Sequence, residues 1–224
     1  MERHFDQELK DLGTNLLKMG CLAEESISNA INALKNLNRD MAIKVIGDDK
    51  IVDQLELLID ETSIRLLSLR QPQAGDLRFV TNASKIGSEL ERIADLSVDI
   101  AQRVLEIADK PMLKPLIDIP KLTAVAQTMV KNAINAFVNR DARLAEETIL
   151  MDKDADNLRD LIQDELINDY IAKDCNSASR AVPLILIARH LERICDHATN
   201  IAEDIIFMVK AEVVKHHPEK LQEL

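Results

Sequence analysis

The second half of this 224-residue chain repeats the first. Asn29-Ala-Ile-Asn-Ala33 returns as Asn132-Ala-Ile-Asn-Ala136, Asn38-Arg-Asp40 as Asn139-Arg-Asp141, and Leu90-Glu-Arg-Ile93 as Leu191-Glu-Arg-Ile194, always at an offset of 101 to 103 residues. Matches that keep both order and spacing mark a duplicated unit of about 100 residues. Whatever one half folds into, the other must fold into as well. Pro111, Pro115 and Pro120 fall between the copies, where loss of a backbone donor stops helices, so this stretch is the expected linker. The expected division is a first unit over residues 1–110, a linker over 111–120, and a second unit with a short polar tail over 121–224.

Within each unit the apolar period is helical. Leu184, Ile187, Leu191, Ile194, Ala198, Ile201, Ile205 and Met208 step by threes and fours, as one buried helical seam requires. Ile86, Leu90, Ile93, Ser97, Ile100, Val104 and Ile107 repeat that step in the first half. Five Gly and six Pro are about half of average usage, too few for the many turns of a sheet protein. Breaks at Arg39-Asp40, at Gln71-Pro72-Gln73-Ala74-Gly75 and at Asp174 to Ser177 divide each half into three helices, with Asp76 and Ser177 as expected N-caps. The predicted fold is all-α, a tandem duplication of an antiparallel three-helix bundle with six long helices, most of about 30 residues or roughly 45 Å.

A net charge of −11 argues against nucleic acid and anionic lipid, whose phosphates need clustered Lys and Arg. Cations and basic protein surfaces suit it better. Cys21, Cys175 and Cys195 are odd in number and lack CxxC spacing, which fits a reducing compartment rather than a disulfide or zinc framework. The N-terminus lacks a signal-peptide core and the longest apolar run, Ala181 to Ala188, is far below the roughly 20 residues of a bilayer span. A cytoplasmic protein without membrane insertion is expected.

Carboxylates lie beside the seams. Glu91, Asp95 and Asp99 are spaced by four, as are Asp49 and Asp53 on the preceding helix; Asp152 and Asp156 precede Glu192, Asp196 and Asn200 in the second half. Side chains four apart stack on one face, where like charges repel by roughly 0.2–0.5 kcal/mol per pair unless neutralised. Arg92 and Arg193 follow Glu91 and Glu192 directly, point about 100° away, and are not expected to be the main neutralisers. Folding the first half about Pro72 sets Asp53 level with Glu91 and Asp49 level with Asp95. Folding the second about Asp174 sets Asp156 level with Glu192 and Asp152 level with Asp196. Each half therefore gathers four carboxylates on the outside of its bundle. Such an oxygen-rich set suits hard or borderline cations and can bridge more than one ion. A lone Glu-xxx-Asp is ordinarily a solvated face; duplication together with level matching favours a metal patch.

The doubled Leu-Glu-Arg-Ile-x-Asp segments, Gln71-Pro-Gln-Ala-Gly-Asp-Leu-Arg78, and Asp-Lys-x-x-Asp at Asp49 to Asp53 with its counterpart Asp152 to Asp156 closely resemble the PhoU family, over nearly the whole chain up to about Lys210. That resemblance implies a duplicated three-helix bundle and multinuclear metal clusters, iron first, with zinc, manganese or magnesium as alternatives. One cluster would be held by Asp49, Asp53, Glu91, Asp95 and Asp99, the other by Asp152, Asp156, Glu192 and Asp196, with Asn200 peripheral because it replaces Asp99. It also implies a non-enzymatic cytoplasmic partner of a phosphate ABC transporter and a sensor histidine kinase, repressing the phosphate-starvation response when phosphate is plentiful. Asp174 to Ser179 does not reproduce the Gln71 to Arg78 motif, so any role of that motif is confined to the first half.

Cys195 and His197 flank Asp196 and could alter the metal preference of the second patch. His190 and His197 otherwise read as helix-surface histidines, Cys21 and Cys195 as buried or half-buried small residues, and the methionines as packing. His216 and His217 carry no site. Long apolar helical faces point to a homodimer. Two rival functions remain: a helical adaptor whose acidic stripes bind a basic partner with metal incidental, and a di-iron or di-manganese oxidase. The oxidase requires Glu-x-x-His motifs, and the sequence contains none. Nor does it contain a Gly-rich phosphate loop or a nucleophile constellation.

Overall fold

A computed structural model describes residues 4–215, and these residues form helices joined by short turns, with no strand among them. The first copy comprises α1 (His4–Asn36), α2 (Arg39–Asp48), α3 (Lys50–Arg70) and α4 (Ala74–Ile107). The second comprises α5 (Asp118–Asn139), α6 (Ala142–Leu150), α7 (Asp152–Glu165) and α8 (Ala178–Lys210). The single middle helix expected in each half is interrupted by one residue, Asp49 or Met151, which keeps right-handed helical dihedrals. A π-helical turn, Leu166–Ile171, and a 3₁₀ turn, Cys175–Ser177, lead into α8.

The turns within each copy have visible causes. Asn38 accepts from the Met41 amide at 3.0 Å and Asp141 from the Leu144 amide at 3.1 Å, so each middle helix starts on a side-chain cap. The expected caps at Asp76 and Ser177 are not formed. Gln71 and Ala74 take left-handed dihedrals, φ 45° and 46°, which starts α4 early and leaves Asp76 inside its first turn, where only the helix dipole favours it. Ser177 immediately precedes α8, but its hydroxyl caps nothing, and Asp174 accepts from the Asn176 amide instead. Residues 108–117 connect the copies. Pro120 lies in the first turn of α5, where a missing amide is tolerated.

Both predicted seams are buried along their whole length. They are only part of the apolar surface, because α4 and α8 pack extensively on one another and α1 crosses α5, joining both copies in one continuous core. The ends of α4 and α8 stitch the same contact. Arg78, the last residue of the Gln71 motif, donates from Nε to the Met208 carbonyl at 3.1 Å. Pro183 inside α8 cannot bond the Ser179 carbonyl, and Lys110 Nζ supplies that bond at 3.1 Å.

Gly20 sets how closely α1 approaches α5. A Cβ there would overlap Ile134 Cδ1 and come within 2.8 Å of its Cγ1. Gly20→Ala is expected to destabilise the fold by about 1–3 kcal/mol in denaturant titration, with partial recovery in Gly20→Ala/Ile134→Val. A neutral Gly20→Ala would show that the contact yields freely.

Candidate metal centre

The acidic patches are built by one long helix and one interrupted one in each copy. In the first, α4 carries Glu91 and Asp95, and Asp49 and Asp53 stand at the junction of α2 with α3. Asp49 is half-buried, and its carboxyl is pushed up to about 6 by burial and then by the charges of Asp53 and Asp95. Burial also raises Glu91, with Asp95, Glu56 and Asp53 adding to it and Arg92 opposing. The four predicted residues thus share one electrostatic site.

The second copy repeats this. Asp152 is pushed up to about 6 by burial, then by Asp196 and Asp156. Burial raises Glu192, reinforced by Asp196, Asp156 and Asp152 and opposed by Arg159. Burial and Asp156 raise Asp196 against His197, Arg193 and Arg159.

Asp99 and Asn200 stand elsewhere. Both turn into the contact between α4 and α8: Asp99 lies 3.8 Å from His190 Nδ1, and Asn200 donates to Glu89 at 3.2 Å. Glu89 also meets His197 Nδ1 at 2.6 Å. Burial pushes the Glu89 carboxyl up, but the bonds from His197 and Asn200 outweigh it and hold it below the ordinary value. The two histidines are therefore interface residues, with side chains only 16% and 18% exposed, rather than surface ones. Cys195 is fully buried, and burial followed by the nearby carboxylates raises its thiol strongly, so it remains protonated inside the core. Neither neighbour of Asp196 is free to join its patch. Cys21, expected at least half-buried, is exposed. His216 and His217 lie outside the described residues.

Arg92 departs from its predicted direction. Its side chain curls back to Asp95 at 3.1 Å and Glu91 at 3.5 Å. At 61% exposure such a pair contributes at most about 1 kcal/mol. Glu56, which accepts from Ser88 at 3.1 Å, joins the first patch although sequence reasoning passed over it. The signal was available: the same fold about Pro72 sets Glu56 level with Ser88. Asp60 and Ser84, the next level, are likewise hydrogen-bonded.

Among the described residues, no three His, Cys, Asp or Glu side chains already converge as the ligands of one ion. The donor set nevertheless fits a cation chemically. It is all oxygen, neighbouring carboxylates disfavour the charge of Asp49 and Asp152, and Asp95 and Asp156 are about half exposed.

Two copies of a helical unit, each presenting a carboxylate patch and sharing one core, define a duplicated helical-bundle protein of the acidic-patch type. The family model for the PhoU domain matches twice, at residues 16–104 and 119–205. The chain is 38% identical over 210 residues to the Aquifex aeolicus protein named phosphate-specific transport system accessory protein PhoU homolog, covering 94% of this chain and 95% of that one. The Escherichia coli protein named phosphate-specific transport system accessory protein PhoU is 33% identical over 212 residues, with 95% and 88% covered. The crystal structure of PhoU from Pseudomonas aeruginosa superposes with a TM-score of 0.89 at 35% identity, covering 93% of this chain and all of that one. The chain belongs to the PhoU family.

Proposed function

We propose that the protein is a cytoplasmic, non-enzymatic accessory regulator of phosphate uptake that works through cation-loaded carboxylate patches. The observation that supports the metal reading is the duplicated cluster, in which burial and then the charges of neighbouring carboxylates raise Asp49 and Glu91 in one copy and Asp152 and Glu192 in the other. Iron is the first expected metal, with zinc, manganese or magnesium as alternatives. The names of its relatives, accessory proteins of a phosphate-specific transport system, support the transporter components as partners. A sensor histidine kinase is the second partner, with the protein acting as a homodimer to repress the starvation response. No helix among the described residues is long and apolar enough to cross a membrane, so docking on the transporter would be peripheral. Asp49, Asp53, Glu91 and Asp95 in one copy, and Asp152, Asp156, Glu192 and Asp196 in the other, would hold the cation, which would supply positive charge that offsets the patch.

The adaptor reading shares the fold and differs in what metal does. Capture of the protein by membranes containing the phosphate transporter is expected to fall when a chelator is present and to recover when metal is restored. Capture insensitive to chelation but weakened by salt would favour the adaptor.

A further inference from the structure

The contact between α4 and α8 carries two sites that the duplication makes equivalent and the side chains make opposite in charge. The offset that relates Leu90 to Leu191 relates Glu89 to His190, Asp99 to Asn200, Arg103 to Asp204 and Ser88 to Arg189. It also exchanges the two helices, so the pair of Glu89 with Asn200 is the counterpart of His190 with Asp99. The acidic member of the two is closed. His197 and Asn200 both bond Glu89, and Lys85 lies 3.4 Å from Asp204.

The basic member is open. Asp99 stops 3.8 Å from His190 Nδ1, beyond hydrogen-bond range, and that nitrogen is shielded from solvent without a partner. Arg103 stands one turn beyond Asp99 on α4 and pairs with Glu106 of its own helix at 2.5 Å. Arg189 and Arg193 are one turn apart on α8 beside His190; both are exposed, and neither forms an ion pair among the described residues. The charges of Arg193, Arg103 and Arg189 all reach the imidazole, and Arg193 also acts on Asp196. Three guanidinium groups thus meet at one level against Asp99 and Glu106, whose side chains are 45% and 44% exposed. The excess of positive charge is local, in a chain that carries −11 as a whole.

We infer that Arg103, Arg189, Arg193 and His190 form a site for a small tetrahedral oxyanion, orthophosphate or a phosphate monoester, at the contact between the copies. Guanidinium groups keep their charge and present paired N–H donors that match two oxygens of such an anion. Water can serve the exposed arginines but does not reach His190 Nδ1, which leaves one enclosed polar atom for the ligand to satisfy. The donors come from both α4 and α8, so a bound anion clamps one copy to the other. The inference goes beyond the metal-binding reading and does not depend on metal in the carboxylate patches.

Equilibrium dialysis of the full-length protein against radiolabelled orthophosphate, in chelator at low salt, tests this. Saturable binding is expected, weakening as salt rises. Arg103→Gln and Arg189→Gln should each weaken it by about tenfold, the effect of losing one charge-assisted hydrogen bond, and the two together should abolish it. Arg189→Lys should fall between Arg189→Gln and the wild type. Lys85→Gln removes the same charge from the equivalent acidic site and should leave phosphate binding unchanged. Phosphate should also raise the melting temperature of the wild type and not that of Arg103→Gln/Arg189→Gln. Competition with AMP identifies the source: stronger displacement by AMP than by unlabelled orthophosphate assigns the site to phosphate monoesters, and weaker displacement assigns it to the free ion. Absence of saturable binding would overturn the inference, as would binding that ignores both arginine substitutions while circular dichroism shows the helices intact. Equal losses in Lys85→Gln and Arg189→Gln would reduce the effect to overall charge and overturn it too. Phosphate binding that appears only when metal is added would place the anion on the carboxylate patches, contradicting this site while leaving the metal-binding reading standing.

Discussion

Metal-free protein is expected to be less stable at pH 7 than at pH 5, and bound cation should invert that slope. Asp49 and Asp152 are held at about 6 in the fold, against an ordinary 3.8. Between about pH 4 and 6 the folded state therefore keeps protons that the unfolded chain has released, and stability falls as pH rises through this window. Displacements of that size give an upper bound of about 3 kcal/mol per carboxylate. Screening at these half-buried positions reduces it to about 1 kcal/mol each over the whole window, of which somewhat under half falls between pH 5 and 7, or roughly 2 to 3 °C for the pair. Glu89 has the opposite sign, since its carboxyl is held low, but its contribution is lost only below the ordinary carboxylate range. His190, held below its ordinary value by burial, opposes the fall inside the window, where the raised Glu91, Glu192, Asp196 and Asp204 reinforce it. Cation at a thousand times its Kd adds about 4 kcal/mol, roughly 10 °C, and protons compete with it, so the loaded protein should be the more stable at pH 7. Calorimetric melts at the two pH values, with metal and with chelator, check both signs. A metal-free protein more stable at pH 7 would contradict the assigned carboxylate environment.

Ile194→Ala should lower the stability of the whole molecule, not of one half. Ile194 is fully buried on α8, the helix that packs on both its own copy and α4, and the core runs without interruption between copies. Loss of three buried carbons leaves a cavity and is expected to cost about 2–5 kcal/mol. Chemical denaturation should retain a single transition, displaced to lower denaturant with an unchanged slope. Ile93→Ala, the equivalent on α4, should behave alike. Two separated transitions in Ile194→Ala would mean that the copies unfold independently despite the shared core.

What could be read before the fold was known depended on how far each inference reached. The seams of α4 and α8 need only the helical period, and every seam position is buried. The patches need one further step, the turn that sets neighbouring helices level: the charges of Asp53 and Asp95 act on both Asp49 and Glu91, although no three of these side chains converge on one point. Glu56 was legible by the same rule carried one turn further. The contact between copies was not. Periodicity says which face of α8 is apolar but not that α4 lies across it, so His197 opposite Glu89 and Asp99 beside His190 had no signal in spacing within either copy. Arg92 was misjudged for a different reason: the direction of Cβ does not fix the reach of a long flexible side chain. The misplaced cap at Asp76 traces to the left-handed dihedrals of Gln71 and Ala74, which no glycine announced.

The formal charge of −11 reads differently with the patches in view, because much of it that is hard to place sits where bound cations would offset it. Elemental analysis of the natively purified protein beside Asp95→Ala/Asp196→Ala tests this most directly. The wild type should carry several metal equivalents per chain, and the double variant should lose nearly all of them while its helical circular dichroism is unchanged. Equal metal content in the two proteins would contradict the metal-binding account.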